Sequence, residues 1–184
     1  MYRALTLKAI REKTDLKNPK RLIELIKRAK INIISKKDGS LKVILDGKDV
    51  SIKIRKPQVT KKVSFIARIS GVRKEMVKLQ RAFGKKNNIV VEGRDIGTVV
   101  FPKAYKKFYL DAAVEVRIKR RLNDFKKLCK NISIQEVKAD LIKRDKADLT
   151  RKVGPLKQAK DAIYIDTTNF DIEETIQELL KYIN

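Results

Sequence analysis

Apolar residues recur every three to four positions between residues 2 and 30, the spacing of an amphipathic helix. In the second part of this stretch, NPKRLIELIKRAK, Asn18 is placed to cap a helix and Pro19 to occupy its first position. The pattern therefore predicts two helices, over 2–13 and 18–30. Helical spacing returns in PQVTKKVSFIAR and GVRKEMVKLQRAF, which predicts two more at 57–68 and 71–83.

The pattern between Ile31 and Ile54 is different. Three short runs, INIIS, LKVIL and VSIKI, are separated by turns that contain the Asp-Gly pair. Asp-Gly between alternating apolar residues is a strong hairpin signal. This stretch therefore predicts a small antiparallel sheet of three strands.

The second half of the chain alternates strand-like and helix-like segments. NIVVEG, KKFYLD and DAIYID are strand candidates, and the first is almost continuously apolar, as a strand buried on both faces would be. Helical patterns follow over 114–128, 133–151 and 171–183, with Ser133 and Asp171 as capping residues. Such alternation predicts an α/β fold with a parallel sheet.

Composition narrows the possible chemistry. The chain has no histidine and one cysteine, Cys129, which excludes a disulfide framework, a zinc cluster and a Ser-His or Cys-His catalytic pair. No apolar run is long enough to span a bilayer and no secretory pattern opens the chain, so we expect a cytoplasmic protein. The net charge of +24 would suit a polyanionic partner, but lysines are scattered through nearly every segment, as in a lysine-rich proteome.

Two charged clusters could carry function. VVEGRDIGTVVFP places Arg94 and Asp95 where a predicted strand ends, the position at which α/β sheets bind ligands. KRDKADLTR places Arg144, Asp148 and Arg151 on one helical face, where an ordinary salt-bridge ladder is the alternative interpretation. Arg3 and Arg73 lie near predicted helix starts, where a cation opposes the helix dipole and hints at an anionic ligand.

Several segments, in order along the whole chain, resemble the cytidylate kinases, bacterial nucleoside monophosphate kinases: MYRALTLKAI, LKVILDGKDVS, VRKEMVKLQRAFG, VVEGRDIGTVVFP, KRDKADLTRKVGPLKQAKDAIYIDTT and DIEETIQELL. The resemblance implies a P-loop NTPase-like parallel sheet flanked by helices. It implies a core domain over 1–30 and 57–184 with a lid at about 113–155, and a CMP-region insert over 31–56. The implied reaction transfers the γ-phosphate of ATP, with Mg²⁺, to CMP or dCMP in pyrimidine metabolism, and we expect a monomer.

The resemblance also implies roles for individual residues. Arg94, Arg144 and Arg151 would be catalytic, and Arg120 and Arg121 would lie in the lid over ATP, with no protein ligand to a metal. The CMP site would comprise Arg3, Ser64, Arg73, Arg94, Asp95, Arg144, Asp148 and Arg151. A carboxylate such as Asp95 can accept a hydrogen bond from the exocyclic amine of cytosine, which uracil lacks.

One family feature is missing from these residues. The family opens with a strand, a phosphate loop of the G-x-x-x-x-G-K-[ST] type, a helix and a strand, and neither Gly47-Lys48 nor Gly84-Lys85 fits that loop. We therefore expect that Met1 corresponds to an internal methionine of the family, and that this chain alone is poorly stable and turns over little CMP. Two alternatives stay open: a nucleotide-binding remnant without catalysis, and, less favoured, a basic nucleic-acid-binding protein.

Overall fold

The structure is a computed structural model that describes residues 1–85, 88–127 and 132–183, so that Cys129 lies outside the described residues. The chain divides into two compact units, 1–89 and 90–184. In the described segments, no helix is long and apolar enough to cross a membrane. The predicted α/β class is confirmed, because a parallel pair of strands is accompanied by helices and a separate small antiparallel sheet.

The first unit is built from four helices and one small sheet, and all four predicted helices are confirmed. Their apolar faces and the sheet pack into one core. The fully buried side chains of this core include Leu5, Leu25, Leu45 and Met76. A fully buried side chain of this size contributes roughly 1.5–3 kcal/mol relative to an exposed one. The helices are α1 (Tyr2–Arg11), α2 (Pro19–Arg28), α3 (Pro57–Ala67) and α4 (Ser70–Gly84).

Helix α2 begins as its sequence predicts. The side chain of Asn18 accepts a hydrogen bond from the backbone N–H of Arg21 at 3.1 Å, and Pro19 takes the first helical position. Leu22 and Leu25 are completely buried on the core side. The cap satisfies one of the backbone donors that every helix start leaves open, and the apolar face fixes which side turns inward.

The small sheet consists of β1 (Ile31–Ser35), β2 (Leu41–Leu45) and β3 (Lys48–Asp49), paired antiparallel in that order. The predicted third strand over 50–54 is wrong. The backbone N–H of Val43 donates to the side-chain oxygen of Ser51 at 2.9 Å, so a hydroxyl replaces the backbone carbonyl that a continuing strand would offer. The chain then turns into a short 3₁₀ helix at Lys53–Arg55.

Asp46 ties this sheet to the helices. One carboxylate oxygen accepts from the backbone N–H of Lys30 at 2.9 Å, and the other accepts from the Lys8 ammonium. Burial would raise the pKa of Asp46, but the hydrogen bonds from Lys8 and Lys30 and the nearby positive charges outweigh it and hold the pKa below its usual value. The charged form of Asp46 therefore stabilises the folded first unit.

We predict that Asp46→Asn lowers the free energy of unfolding by about 1–2 kcal/mol at neutral pH, because the lysine loses a charged acceptor. The pKa is depressed in the folded state, so this contribution is present above the unfolded-state pKa and disappears as pH falls below about 4. Urea unfolding followed by circular dichroism between pH 3 and 7 measures it. The gap between wild type and variant should close on acidification.

The matched control is Glu24→Gln, which removes the same charge from an exposed position on α2. It should leave stability almost unchanged at every pH. A gap for Asp46→Asn that is no larger than that of Glu24→Gln, or that does not depend on pH, would contradict the assigned role of Asp46.

The second unit contains β4 (Phe108–Asp111) and β5 (Ile163–Asp166), which pair in parallel with Phe108 opposite Ile163. Three helices accompany them: α5 (Val114–Lys127), α6 (Ile134–Thr150) and α7 (Ile172–Leu180). Both predicted capping residues are confirmed, because Ser133 and Asp171 each form a capping box with the glutamate three positions later. These caps fix where α6 and α7 begin.

The predicted buried strand over 88–93 is wrong. Val90 is fully exposed, and Ile89 and Val91 are also on the surface. A strand is stable only when a neighbour satisfies its backbone groups, and the strands described in the second unit, β4 and β5, pair with each other. The apolar run has the composition of a buried strand, but in this structure it has no partner among the described strands.

Candidate functional site

The candidate site begins in an irregular turn. Residues Ile96–Val100 form a π-helical turn, a conformation that occurs frequently at functional sites. The backbone carbonyl of Asp95 accepts from the N–H groups of Val99 at 2.9 Å and Val100 at 3.1 Å. The sequence pattern had placed Arg94 and Asp95 at the end of a strand. In the structure they instead lead into this turn.

Four charged side chains of the second unit lie together, and we call them the Arg94–Asp148 cluster: Arg94, Asp95, Asp148 and Arg151. The Nε of Arg94 is 2.8 Å from Asp148 Oδ2, and Arg151 Nη1 is 3.5 Å from Asp148 Oδ1. Arg151 Nη2 is 3.8 Å from Asp95 Oδ1. Asp148 thus stands between the two arginines, and the two charged clusters of the sequence contact each other.

The members of the Arg94–Asp148 cluster differ in exposure. The side chains of Asp95, Asp148 and Arg151 are 11%, 17% and 14% exposed, whereas that of Arg94 is 42% exposed. The two positive and two negative charges balance within the cluster. An approaching anion would therefore meet the Arg94 guanidinium first.

The loop after α6 holds Arg151 in place. Its Nε donates to the carbonyl of Gly154, and the N–H of Leu156 donates to the carbonyl of Asp148 at 2.8 Å. The chain therefore folds back over the last turn of α6 immediately after Arg151. A guanidinium held in this way has a fixed orientation, and its planar fork suits phosphate or carboxylate oxygens.

Arg144 lies one helical turn before Asp148 and is exposed. With Arg121 it lines a cavity of about 120 Å³ whose other walls include Phe125 of α5, Val137 of α6 and Ile132 just before α6. Arg121 also lies over the ring of Phe125, with its guanidinium carbon 4.5 Å from the ring centre. The structure thus places Arg144 beside a predicted lid residue.

Arg120, the other predicted lid residue, binds the loop that follows β5. Its guanidinium donates to the carbonyls of Thr167 at 2.6 Å and Phe170 at 2.7 Å, and to the Thr167 hydroxyl at 3.2 Å. Helix α5 is therefore fixed to the carboxyl end of β5. Sequence reasoning had no signal for these backbone acceptors, because any residue can supply a carbonyl.

The remaining predicted site residues belong to the first unit. Arg3 donates to the Thr60 hydroxyl at 2.8 Å and to the carbonyl of Ile54 at 3.2 Å. Ser64 is exposed on α3, one turn after Thr60, so both hydroxyls lie along the same side of that helix. Sequence reasoning missed Thr60, although its spacing from Ser64 could have indicated it.

Arg73 is almost completely buried near the start of α4. It donates to the carbonyl of Ala67 at 3.1 Å, and its guanidinium carbon lies 5.7 Å from the ring centre of Tyr2. Burying a guanidinium requires such partners, because an uncompensated charge in the interior is very costly. Tyr2 is a second contact that the sequence did not indicate.

Comparison with known proteins decides the family. A family model described as cytidylate kinase matches residues 1–184. The chain belongs to the cytidylate kinase family. It is 42% identical over 183 residues to cytidylate kinases of Bacillus velezensis (strain DSM 23117 / BGSC 10A6 / LMG 26770 / FZB42) and Bacillus subtilis (strain 168), covering all of this chain and 81% of each relative. It is 40% identical to the cytidylate kinase of Desulforamulus reducens, of which it covers 82%.

Membership of the cytidylate kinase family makes this chain one of a family of kinases and supports a role in CMP phosphorylation. The structure places most of the predicted site residues in two groups. Arg94, Asp95, Asp148 and Arg151 form one cluster in the second unit, whereas Arg3, Ser64 and Arg73 lie on neighbouring helices of the first.

The Arg94–Asp148 cluster makes a stability prediction. In Asp148→Asn two arginines lose a shared charged acceptor, and we expect the free energy of unfolding to fall by about 1–2 kcal/mol. Asp140→Asn, at an exposed position of the same helix, is the control and should change it by less than about 0.5 kcal/mol. Chemical denaturation measures both, and equal effects would show that the cluster contributes no stability.

Proposed function

We propose that this chain binds CMP and dCMP and presents their phosphate to accept the γ-phosphate of ATP. The observation that carries the proposal is the Arg94–Asp148 cluster, two arginines and two aspartates in contact, in a member of the cytidylate kinase family. Its arginines can bind phosphate oxygens, and its carboxylates can accept from the amine of cytosine and the hydroxyls of ribose.

Base selection falls to Asp95. Cytosine carries an amine where uracil carries a carbonyl, so a carboxylate at this point attracts cytosine and repels uracil. Asp95 is held in the π-helical turn by its own carbonyl and faces Arg151 at 3.8 Å. Ser64 and Arg73 of the first unit are our candidates for donating to ring acceptors of cytosine.

In the second unit, phosphate binding falls to Arg94, Arg144 and Arg151, with Asp148 accepting from the ribose hydroxyls. Arg3 is the phosphate-binding candidate of the first unit. In the reaction a CMP phosphate oxygen attacks the γ-phosphorus of ATP, the bond from that phosphorus to the bridging oxygen breaks, and ADP leaves. The attacking oxygen is already anionic, so positioning and charge neutralisation matter more than a general base. This explains how a chain without histidine can serve such a reaction.

The ATP side is less complete in these residues. No stretch of the 184 residues matches a phosphate loop. Among the residues that the structure describes, no three carboxylate, histidine or cysteine side chains lie together as metal ligands. Mg²⁺ in kinases is held largely by the substrate phosphates and brings neutralising charge to them. Arg120 and Arg121 remain our candidates for the lid over ATP.

A second candidate function is a nucleotide-binding protein that binds CMP without catalysis. Calorimetric titrations separate the two. Both predict heat with CMP, but only the phosphotransferase predicts heat with Mg-ATP and formation of CDP. A chain that binds CMP, gives no heat with Mg-ATP and forms no CDP would favour the second candidate.

We predict that Asp95→Asn weakens CMP binding by roughly 10–100-fold, the worth of one charge-assisted hydrogen bond. The preference for CMP over UMP should shrink as well, because an amide can donate to the uracil carbonyl. Calorimetric titration of each variant with CMP and UMP measures both effects. Glu92→Gln removes the same charge from an exposed neighbour and should bind CMP like wild type.

Two outcomes would contradict the role of Asp95. One is Asp95→Asn that binds CMP as tightly as Glu92→Gln does. The other is a loss of CMP affinity with no change in the ratio of CMP to UMP affinity, which would indicate a general disturbance of the site. Wild type that binds neither nucleotide would overturn the proposed function itself.

A further inference from the structure

Lys107 is a buried lysine outside the Arg94–Asp148 cluster. Its side chain is 6% exposed, although lysine is almost never fully buried unless paired. The ammonium donates to both carboxylate oxygens of Asp161, at 2.6 and 2.8 Å, and to the backbone carbonyl of Pro102. The charged end of Lys107 therefore joins two loops that are far apart in sequence.

The methylene stem of Lys107 contacts the π-helical turn itself. A Cβ built on Gly97 would lie 3.3 Å from Lys107 Cδ and 3.8 Å from Ala159 Cβ. A side chain at position 97 would press on the lysine stem, which would have to move by a few tenths of an ångström, so glycine suits this close approach. The stem of Lys107 packs against the turn at Gly97. The ammonium holds the carbonyl of Pro102, just after the turn ends.

The backbone of Lys107 also takes part in the sheet. Its carbonyl accepts from the N–H of Ile163 at 2.9 Å, at the start of the β4–β5 pair. One residue thus contacts the turn that follows Asp95, the beginning of β4 and the loop that leads into β5. Lys107 therefore links these three places.

The charge of Lys107 needs an explanation, because an apolar residue could fill the same space without a desolvation cost. Burying an ammonium costs several kcal/mol unless it is paired and hydrogen-bonded. Asp161 pairs with it, and the hydrogen bond from Lys107 lowers the pKa of Asp161, so the aspartate stays charged. What the charge adds beyond packing is the fixed position of the Pro102 carbonyl.

We propose that Lys107 is a positioning residue for Arg94 and Asp95. It contacts the π-helical turn at Gly97 and holds the carbonyl of Pro102 just beyond the turn, and this turn is anchored on the carbonyl of Asp95. Lys107 touches no substrate in this role and acts through the turn. Its effect on CMP rests on the proposed function, whereas its effect on the turn does not.

The test compares Lys107→Met with Lys106→Met. Methionine keeps most of the stem and removes the ammonium, and Lys106 is an exposed neighbour whose loss changes the net charge equally. Hydrogen exchange is measured at the N–H groups of 99–101, which are bonded within the turn. We expect exchange there to be roughly tenfold faster in Lys107→Met than in Lys106→Met, with helix α6 as the internal reference.

Asp161→Asn is the milder variant, since it keeps the lysine but removes the charge that holds its ammonium in place beside Pro102. Faster exchange at 99–101 relative to α6, smaller than in Lys107→Met, supports the proposal. If Lys107→Met also loses protection throughout α6, Asp161→Asn decides: selective loss at 99–101 supports the role, and unchanged exchange overturns it. Equal exchange in Lys107→Met and Lys106→Met overturns it directly.

CMP titration gives the second readout. Lys107→Met should bind CMP roughly tenfold more weakly than Lys106→Met, and the ratio of CMP to UMP affinity should fall as Asp95 loses its position. Normal CMP affinity in Lys107→Met would overturn the link to the site. If wild type binds no CMP, the proposed function fails, while the exchange experiment still decides whether Lys107 fixes the turn.

Discussion

The candidate site of the second unit depends on the carboxylate of Asp148, which lies between two guanidinium groups. Without it, Arg94 and Arg151 would repel each other where the end of α6 meets the π-helical turn. With it, two segments more than 50 residues apart in sequence are joined by an ion pair of 2.8 Å. The same carboxylate therefore serves folding and leaves arginines in place for an anion.

A second constraint is backbone geometry around Asp95. The chain does not continue here as a strand. The π-helical turn closes hydrogen bonds back onto the Asp95 carbonyl, with the Asp95 side chain buried and Arg94 exposed. The methylene stem of Lys107 packs against this turn at Gly97. The position of the Asp95 carboxylate therefore depends on the backbone hydrogen bonds of the turn and on the contact between Gly97 and Lys107.

The helix starts and the hairpin turns could be predicted from the sequence, because the residues that cause them lie within the elements themselves. Asn18, Ser133 and Asp171 predicted where helices begin, and the Asp-Gly turns predicted the hairpins. The joining of GRD to KRDKADLTR could be expected only through the family resemblance, since no local rule links them. The exposed run at Val90 and the end of β3 at Asp49 could not be predicted, because both depend on what a distant segment offers as a hydrogen-bond partner.

The two arginines of the Arg94–Asp148 cluster are suited to different tasks. Arg151 is 14% exposed and is held by the Gly154 carbonyl and two carboxylates, so its side-chain entropy is largely lost before any ligand arrives. Such a group binds an anion without further ordering cost. Arg94 is 42% exposed and forms its ion pair with Asp148 through Nε, so its terminal nitrogens can turn toward an entering phosphate. A fixed guanidinium and a more mobile one on the same carboxylate can therefore first capture an anionic ligand and then orient it.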